Sequence, residues 1–197
     1  MVKTLLNEVK EYKKDTILSP VYVSIEAILE VFIPFLMAIL VDNGIEKGDM
    51  KSIWFYGFLM LVAAFVSLWA GAKSGKHAAI ASSGFAKNLR KAEYRNIQNF
   101  SFSNIDAYST SGLITRMMTD VTNIQNAYQM IIRICVRAPL MLIASLIMAF
   151  IINKEMALIF VAAVLVLGVV LFGIIFIVSP IFSRLFSRYD FLNASIQ

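Results

Sequence analysis

The chain has one cysteine, one histidine and four prolines in 197 residues, and only 16% of it is charged. A single Cys135 within an apolar run excludes an intrachain disulfide framework and leaves the redox compartment unmarked. Its plainest expected role is that of a small buried thiol. His77 is the only imidazole, and no carboxylate stands at ligand spacing beside it or beside Cys135, so a metal site has no support. Neither Gly-x-Ser-x-Gly nor His-Glu-x-x-His occurs, which leaves hydrolytic chemistry without a carrier. Residues 70–77 imitate a phosphate-binding loop, but Ala70 stands where the motif needs Gly and His77 where it needs Ser or Thr. Close helix packing through Gly71 and Gly75 is the better reading of that stretch. No catalytic or nucleotide-binding motif, and no cofactor of the chain's own, is visible.

What is abundant is apolar surface. The chain is 59% hydrophobic with a mean hydropathy of +0.74, outside the range of ordinary soluble domains and typical of a membrane protein. The net charge of +5 is better read against membrane topology than against nucleic acid, because Lys and Arg concentrate in cytoplasmic loops. Thirteen of the 18 Lys and Arg precede the first apolar segment, lie between the second and third, or follow the fourth. Both termini and the long central loop are therefore expected on the cytoplasmic side.

Residues 1–16 set Val2, Leu5, Leu6, Val9 and Tyr12 at helical spacing against Lys3, Lys10, Lys13 and Lys14, the pattern of a short amphipathic helix on a membrane surface. The first span is expected over about 17–41, too long for the apolar part of a signal peptide and followed by no small-residue cleavage site, so it should remain as a span. Pro34 within it should kink the helix and free a carbonyl. A short outer loop over 42–52 carries the turn residues Asp42, Asn43, Gly44, Gly48 and Asp49. The second span, about 53–72, begins with an interfacial belt of Trp54, Phe55 and Tyr56. No proline follows until after residue 100, and the helix should continue well beyond the membrane, giving roughly 70 Å in all from Ile53 to Phe100. A returning helix merges into a third span at about 128–152, Asn153, Lys154 and Glu155 make a minimal turn, and the fourth span covers about 156–183. The fold class is thus all-α and polytopic, with a cytoplasmic hairpin over 73–127. Asp190, Asn193 and Gln197 share one helical face at the end of the sequence, so the chain is expected to be a piece, or a short relative, of something longer.

Charges inside the spans are the sharpest signal, because an intramembrane ionisable group is costly and marks a pathway or a paired network. Glu26 and Glu30 are one turn apart and share a face that should point into the protein. Glu26 and Arg137 each lie 15 residues from the outer ends of their spans, roughly 22 Å down at the helical rise. The expectation is that Glu26 pairs with Arg137, or with Arg133 one turn away, leaving Glu30 free to face a cavity. Snorkelling of both arginines to headgroups is the alternative. Met37, Met60 and Met141 are candidates for an adaptable substrate wall.

The most polar stretch, Ser109 to Gln125, reads S-T-S-G-L-I-T-R-M-M-T-D-V-T-N-I-Q. It resembles the first intracellular loop of ABC exporters, S-T-G-x-L-I-x-R-x-x-x-D-V-x-x-I-Q, with Ser111 in place of Gly and Gly112 one position later. Ile33 to Met37, Val41 to Ile45, Arg137 to Leu140 and Asp190 to Asn193 are similar to other parts of that family in the same order, closest to bacterial multidrug and lipid-type exporters that are often heterodimers. The resemblance covers essentially the whole chain. It implies a transmembrane domain, here without its fifth and sixth spans, that works with a nucleotide-binding domain holding ATP and magnesium, with a second transmembrane half, and with hydrophobic small molecules among the lipids of a bacterial plasma membrane. It implies alternating access driven through a coupling helix near 103–111. Ser103, Asn104, Asp106, Tyr108, Ser109 and Thr110 would form the docking element, Gly112 the corner, and Arg116 and Asp120 the flank of the helix above it. Two rivals from other classes are a self-contained four-span binding or scaffold protein and a small ion channel using Glu26 and Glu30.

Overall fold

The computed structural model describes Leu5, residues 7–100 and residues 110–196, the last with backbone alone at 110, 111, 179 and 181–196. Every long element is a helix, and no strand occurs among the described residues. The long helices are α1 (Lys13–Leu40), α2 (Met50–Gln98), α4 (Val121–Ile152) and α5 (Lys154–Ile196), with the short α3 (Thr110–Thr115) before α4. Four helical stretches are long and apolar enough to cross a membrane: Lys10–Ile45, Met50–Gln98, Gly112–Ile152 and Lys154–Val178, with mean hydropathies of 2.2, 2.0, 2.3 and 3.2. The chain divides into two compact units, Met1–Ser145 and Leu146–Gln197.

In the first unit α1 and α2 form a long antiparallel hairpin. A 3-10 turn over Lys10–Tyr12 leads into α1, which runs through both Pro20 and Pro34. The expected outer loop is shorter than its composition suggests: Val41–Ile45 continues α1 as a π-helical turn, so Asp42, Asn43 and Gly44 are helical. Gly44 is buried there against Ile53, where an added Cβ would stand 2.6 Å from the Ile53 side chain. The reversal itself falls at Gly48, whose φ of 66° is the left-handed region that glycine enters without steric cost. Asp49 then caps α2, its carboxylate accepting from the Lys51 backbone N–H at 3.1 Å and the Ser52 hydroxyl at 2.7 Å.

Small residues let the two helices approach. Ala63, Ser67, Ala70, Ser74, Ala78 and Ala81 are buried along α2, and the buried Ser74 hydroxyl donates to the Ser19 carbonyl at 3.1 Å. The core lies beyond the apolar spans, where Val9, Ala78, Ala81, Phe85, Leu89, Val121, Tyr128 and Ile132 close on one another. Phe85 and Tyr128 stack with ring centroids 4.6 Å apart, and the Tyr128 hydroxyl lies 2.8 Å from the Thr16 hydroxyl. The segment around Val9 is therefore part of this core, with Val9 only 5% exposed. Cys135, expected to be buried, is exposed on α4. Along the spans the large apolar side chains point outward, as Trp54, Phe65 and Leu68 do, which suits a surrounding hydrocarbon.

In the second unit Asn153 caps α5, its side-chain oxygen accepting from the backbone N–H groups of Glu155 at 2.9 Å and Met156 at 3.2 Å. Outward-facing apolar residues such as Phe160, Leu167, Val169 and Phe172 follow along α5.

Candidate functional site

Three helices bring charge together inside the apolar zone. Helical spacing puts Glu26 and Glu30 on one face of α1, and Arg133 and Arg137 on one face of α4. Between them α2 presents Gly71 and Gly75, again one turn apart. The Arg137 guanidinium donates to both oxygens of Glu30 at 2.7 Å and, through its other terminal nitrogen, to Oε1 of Glu26 at 3.3 Å. The allocation differs from the expectation. Glu30 is not the free acid but the tightly held one, because a planar guanidinium matches a carboxylate best as a two-pronged pair. Glu26 receives the longer bond, and its second oxygen, Oε2, is buried without a hydrogen-bond partner.

Gly71 explains how a carboxylate fits so close to α2. A Cβ at that position would stand 2.7 Å from Glu26 Oε1, nearer than packed atoms tolerate, so glycine is what the close approach requires. The Arg133 guanidinium lies 3.7 Å from where a Cβ on Gly75 would stand and has no ionic or hydrogen-bonding partner among the described residues. The stretch that imitates a phosphate loop is thus an interior part of α2, and its glycines make room for the charges of the neighbouring helices.

A cavity of about 650 Å³ opens beside the cluster, lined by Glu26, Glu30, Ser67, Gly71, Gly75 and Arg133. Ile33, Ala64 and Leu68 give it an apolar wall. A second cavity, about 470 Å³, lies on the other side of Arg133 and is bounded by Asn126, Gln129, Met130 and Arg137. Met37, Met60 and Met141 line neither.

The coupling residues Ser103, Asn104, Asp106, Tyr108 and Ser109 lie outside the described residues. Thr110 opens α3, and Gly112 lies within that helix, so the chain does not turn a corner at Gly112. Arg116 and Asp120 bound a π-helical turn over Arg116–Asp120 that leads into α4. From α2, Arg90 donates to the Met117 carbonyl of this turn at 3.3 Å and to the Thr122 hydroxyl at 3.1 Å. One turn further along α2, burial raises the pKa of Glu93 above its ordinary value; Asp120 raises it further, while Arg90 and Arg116 oppose the rise. Neither Arg90 nor Glu93 stands out in the sequence except as members of a charged helical face. A second unforeseen contact joins His77 Nδ1 to Asp15 Oδ1 at 2.6 Å, across 62 residues, with the Tyr22 ring stacked on the imidazole.

Helices of this length and order, with charge held inside the spans and a polar loop beyond them, define a transporter membrane domain. Residues 16–197 match the family described as ABC transporter transmembrane region, and the chain belongs to that family. It is 30% identical over 172 residues to the uncharacterized ABC transporter ATP-binding protein YfiB of Bacillus subtilis, covering 87% of this chain and 30% of that protein. Uncharacterized ABC transporter ATP-binding proteins of Mycobacterium bovis and Mycobacterium tuberculosis are 27% identical to it over 202 residues, covering 98% of this chain and 33% of theirs. The chain therefore spans about a third of the length of the curated relatives it matches. It is a multi-pass membrane protein of the ABC transporter type.

Proposed function

We propose that this chain forms part of the substrate path of an ATP-driven exporter, with the cluster of Glu26, Glu30, Arg133 and Arg137 as the point where cargo meets fixed charge. The observation that carries this reading is the hold of Arg137 on two carboxylates of another helix, beside a cavity, in spans otherwise nearly free of charge. Such groups are expensive in hydrocarbon and belong to pathways or relays. Their ties between α1 and α4 can be made or broken as the path opens.

In this reading a nucleotide-binding domain carries ATP and magnesium and docks on the loop after α2, at Ser103, Asn104, Asp106, Tyr108, Ser109 and Thr110. Displacement of that loop reaches the spans through the helix flanked by Arg116 and Asp120, which Arg90 ties to α2. A second transmembrane half completes the path, the cargo is a hydrophobic small molecule, and the membrane is the bacterial plasma membrane with both ends of the chain inside. An ion-channel reading needs a carboxylate free to meet ions, and the two-pronged grip on Glu30 opposes it.

The test uses the complete transporter in proteoliposomes with Arg137→Leu and Glu30→Gln. Cargo moved per ATP hydrolysed should fall about tenfold in each, the scale of one lost charge-assisted hydrogen bond. An unchanged ratio in both variants would overturn the assignment.

A further inference from the structure

The cluster holds two carboxylates and two guanidinium groups, so its formal charge is balanced, yet its pairing is not. Arg137 is committed to both acids. What remains is one carboxylate oxygen, Glu26 Oε2, and one whole guanidinium, Arg133, neither with a partner among the described residues. Both residues border the same cavity of about 650 Å³. Their positions along α2 are marked by Gly71 and Gly75, about 6 Å apart at the helical rise.

A ligand with a single charge would satisfy one of these groups and leave net charge in a low-dielectric site, which is costly. A ligand carrying both signs a few ångströms apart satisfies both and leaves none. The apolar wall of Ile33, Ala64 and Leu68 continues onto the outward-facing Leu61, Phe65 and Leu68 of α2. The ligand's apolar part therefore has an uninterrupted surface leading to the surrounding hydrocarbon. Glu26 lies 15 residues before Val41, roughly 22 Å along the helix, which leaves about 8 Å to the far boundary of a layer about 30 Å thick. That is within reach of a headgroup at the end of the spans opposite the α1–α2 turn.

We propose that this cavity takes the zwitterionic head of a membrane amphiphile, an ammonium joined to a phosphate, with the ammonium at Glu26 and the phosphate at Arg133. The proposal rests on the substrate-path reading above and names the cargo class for it. Glu26 is the acid able to respond, because Arg137 holds it at 3.3 Å and Glu30 at 2.7 Å. Rotation of its carboxylate turns the buried Oε2 towards the cavity while Arg137 stays on Glu30. Arg133, a planar donor fork, suits phosphate oxygens.

The experiment titrates the purified full-length protein with three lipids of identical short chains and counts bound lipid by native mass spectrometry. The lipids are phosphatidylethanolamine, phosphatidylglycerol and a trimethylammonium lipid. The zwitterionic lipid should bind about tenfold more tightly than either other, as one extra charge-assisted contact gives. Glu26→Gln should move the preference towards the anionic lipid, and Arg133→Gln towards the cationic one. Opposite shifts cannot arise from a general loss of folding. Equal binding of all three lipids by the unaltered protein, or the same proportional loss for all three in both variants, would overturn the proposal. So would water-soluble glycerophosphoethanolamine binding as well as the lipid, which would make the ligand a free headgroup. These outcomes concern binding without ATP, so they fail independently of the flux measurement on Arg137→Leu and Glu30→Gln.

Discussion

At the scale of single residues, Arg137 is the group whose loss costs most. Two carboxylates of α1 depend on it, and removing one member of a buried ionic cluster destabilises by about 3–5 kcal/mol because the other charges are left uncompensated. The two arms are unequal. A double-mutant cycle on Glu30 and Arg137 should give a larger coupling energy than one on Glu26 and Arg137, since two bonds of 2.7 Å oppose one of 3.3 Å. Equilibrium unfolding of the four variants of each cycle in mixed micelles checks this, and equal couplings would contradict the geometry. The sequence placed Glu26 and Arg137 at one depth because helical rise alone fixes depth. It did not show which acid takes the two-pronged bond, because that depends on how α1 and α4 are rotated about their axes and on side-chain rotamers. Gly71 followed the same pattern: it was legible as a packing residue, while the carboxylate packed against it was not.

At the scale of elements, the region beyond the spans is held by α2 gripping the turn that precedes α4. Glu93 sits in this grip with one buried oxygen that has no hydrogen-bond partner. Burial first, then Asp120, raises its pKa above 4.5. The folded protein therefore holds this proton to higher pH than the unfolded chain does. The stability that the protonated group contributes is present below its ordinary value and is lost as pH rises through the raised one. Asp49 runs the other way: hydrogen bonds from Ser52 and Lys51 lower its pKa, so its contribution is kept above 3.8 and lost as pH falls. Glu93→Gln should accordingly flatten the loss of stability between about pH 4.5 and neutrality, the window set by the direction of the Glu93 shift. Thermal unfolding across that range measures it, and an unaltered slope would contradict the assignment. Long helices were legible here because an absence of proline and a sustained period are local signals. The π-helical turns were not. Asp42, Asn43 and Gly44 have the composition of a loop, yet they continue a helix because Gly44 is needed where α1 meets Ile53.

At the scale of the molecule, composition determined most of the outcome. Four apolar helices and the ABC transporter family follow from hydropathy and from a handful of motifs spread along the chain. Orientation rests on the lopsided placement of Lys and Arg. With Cys135 replaced by Ser, a cysteine at Lys47 should react with a membrane-impermeant maleimide added outside intact cells. One at Lys91 should react only after permeabilisation, and the reverse pattern would invert the topology.

The antiparallel seam of α1 and α2 has a mechanical consequence. Asp15 meets His77, Ser19 meets Ser74 and Glu26 meets Gly71 in steady order along its length. Sliding one helix past the other by a turn would break all of these contacts at once and drive the Glu26 carboxylate into a residue larger than glycine. The hairpin therefore has no low-energy coordinate for shear and behaves as a fixed frame. Thr16 with Tyr128, Ser82 with Gln129, Arg90 with Met117 and Arg137 with Glu30 instead hold α4 by separable polar links. Freedom to rearrange in this unit thus belongs to α4, and the cavity beside Arg133 changes shape when those links are exchanged.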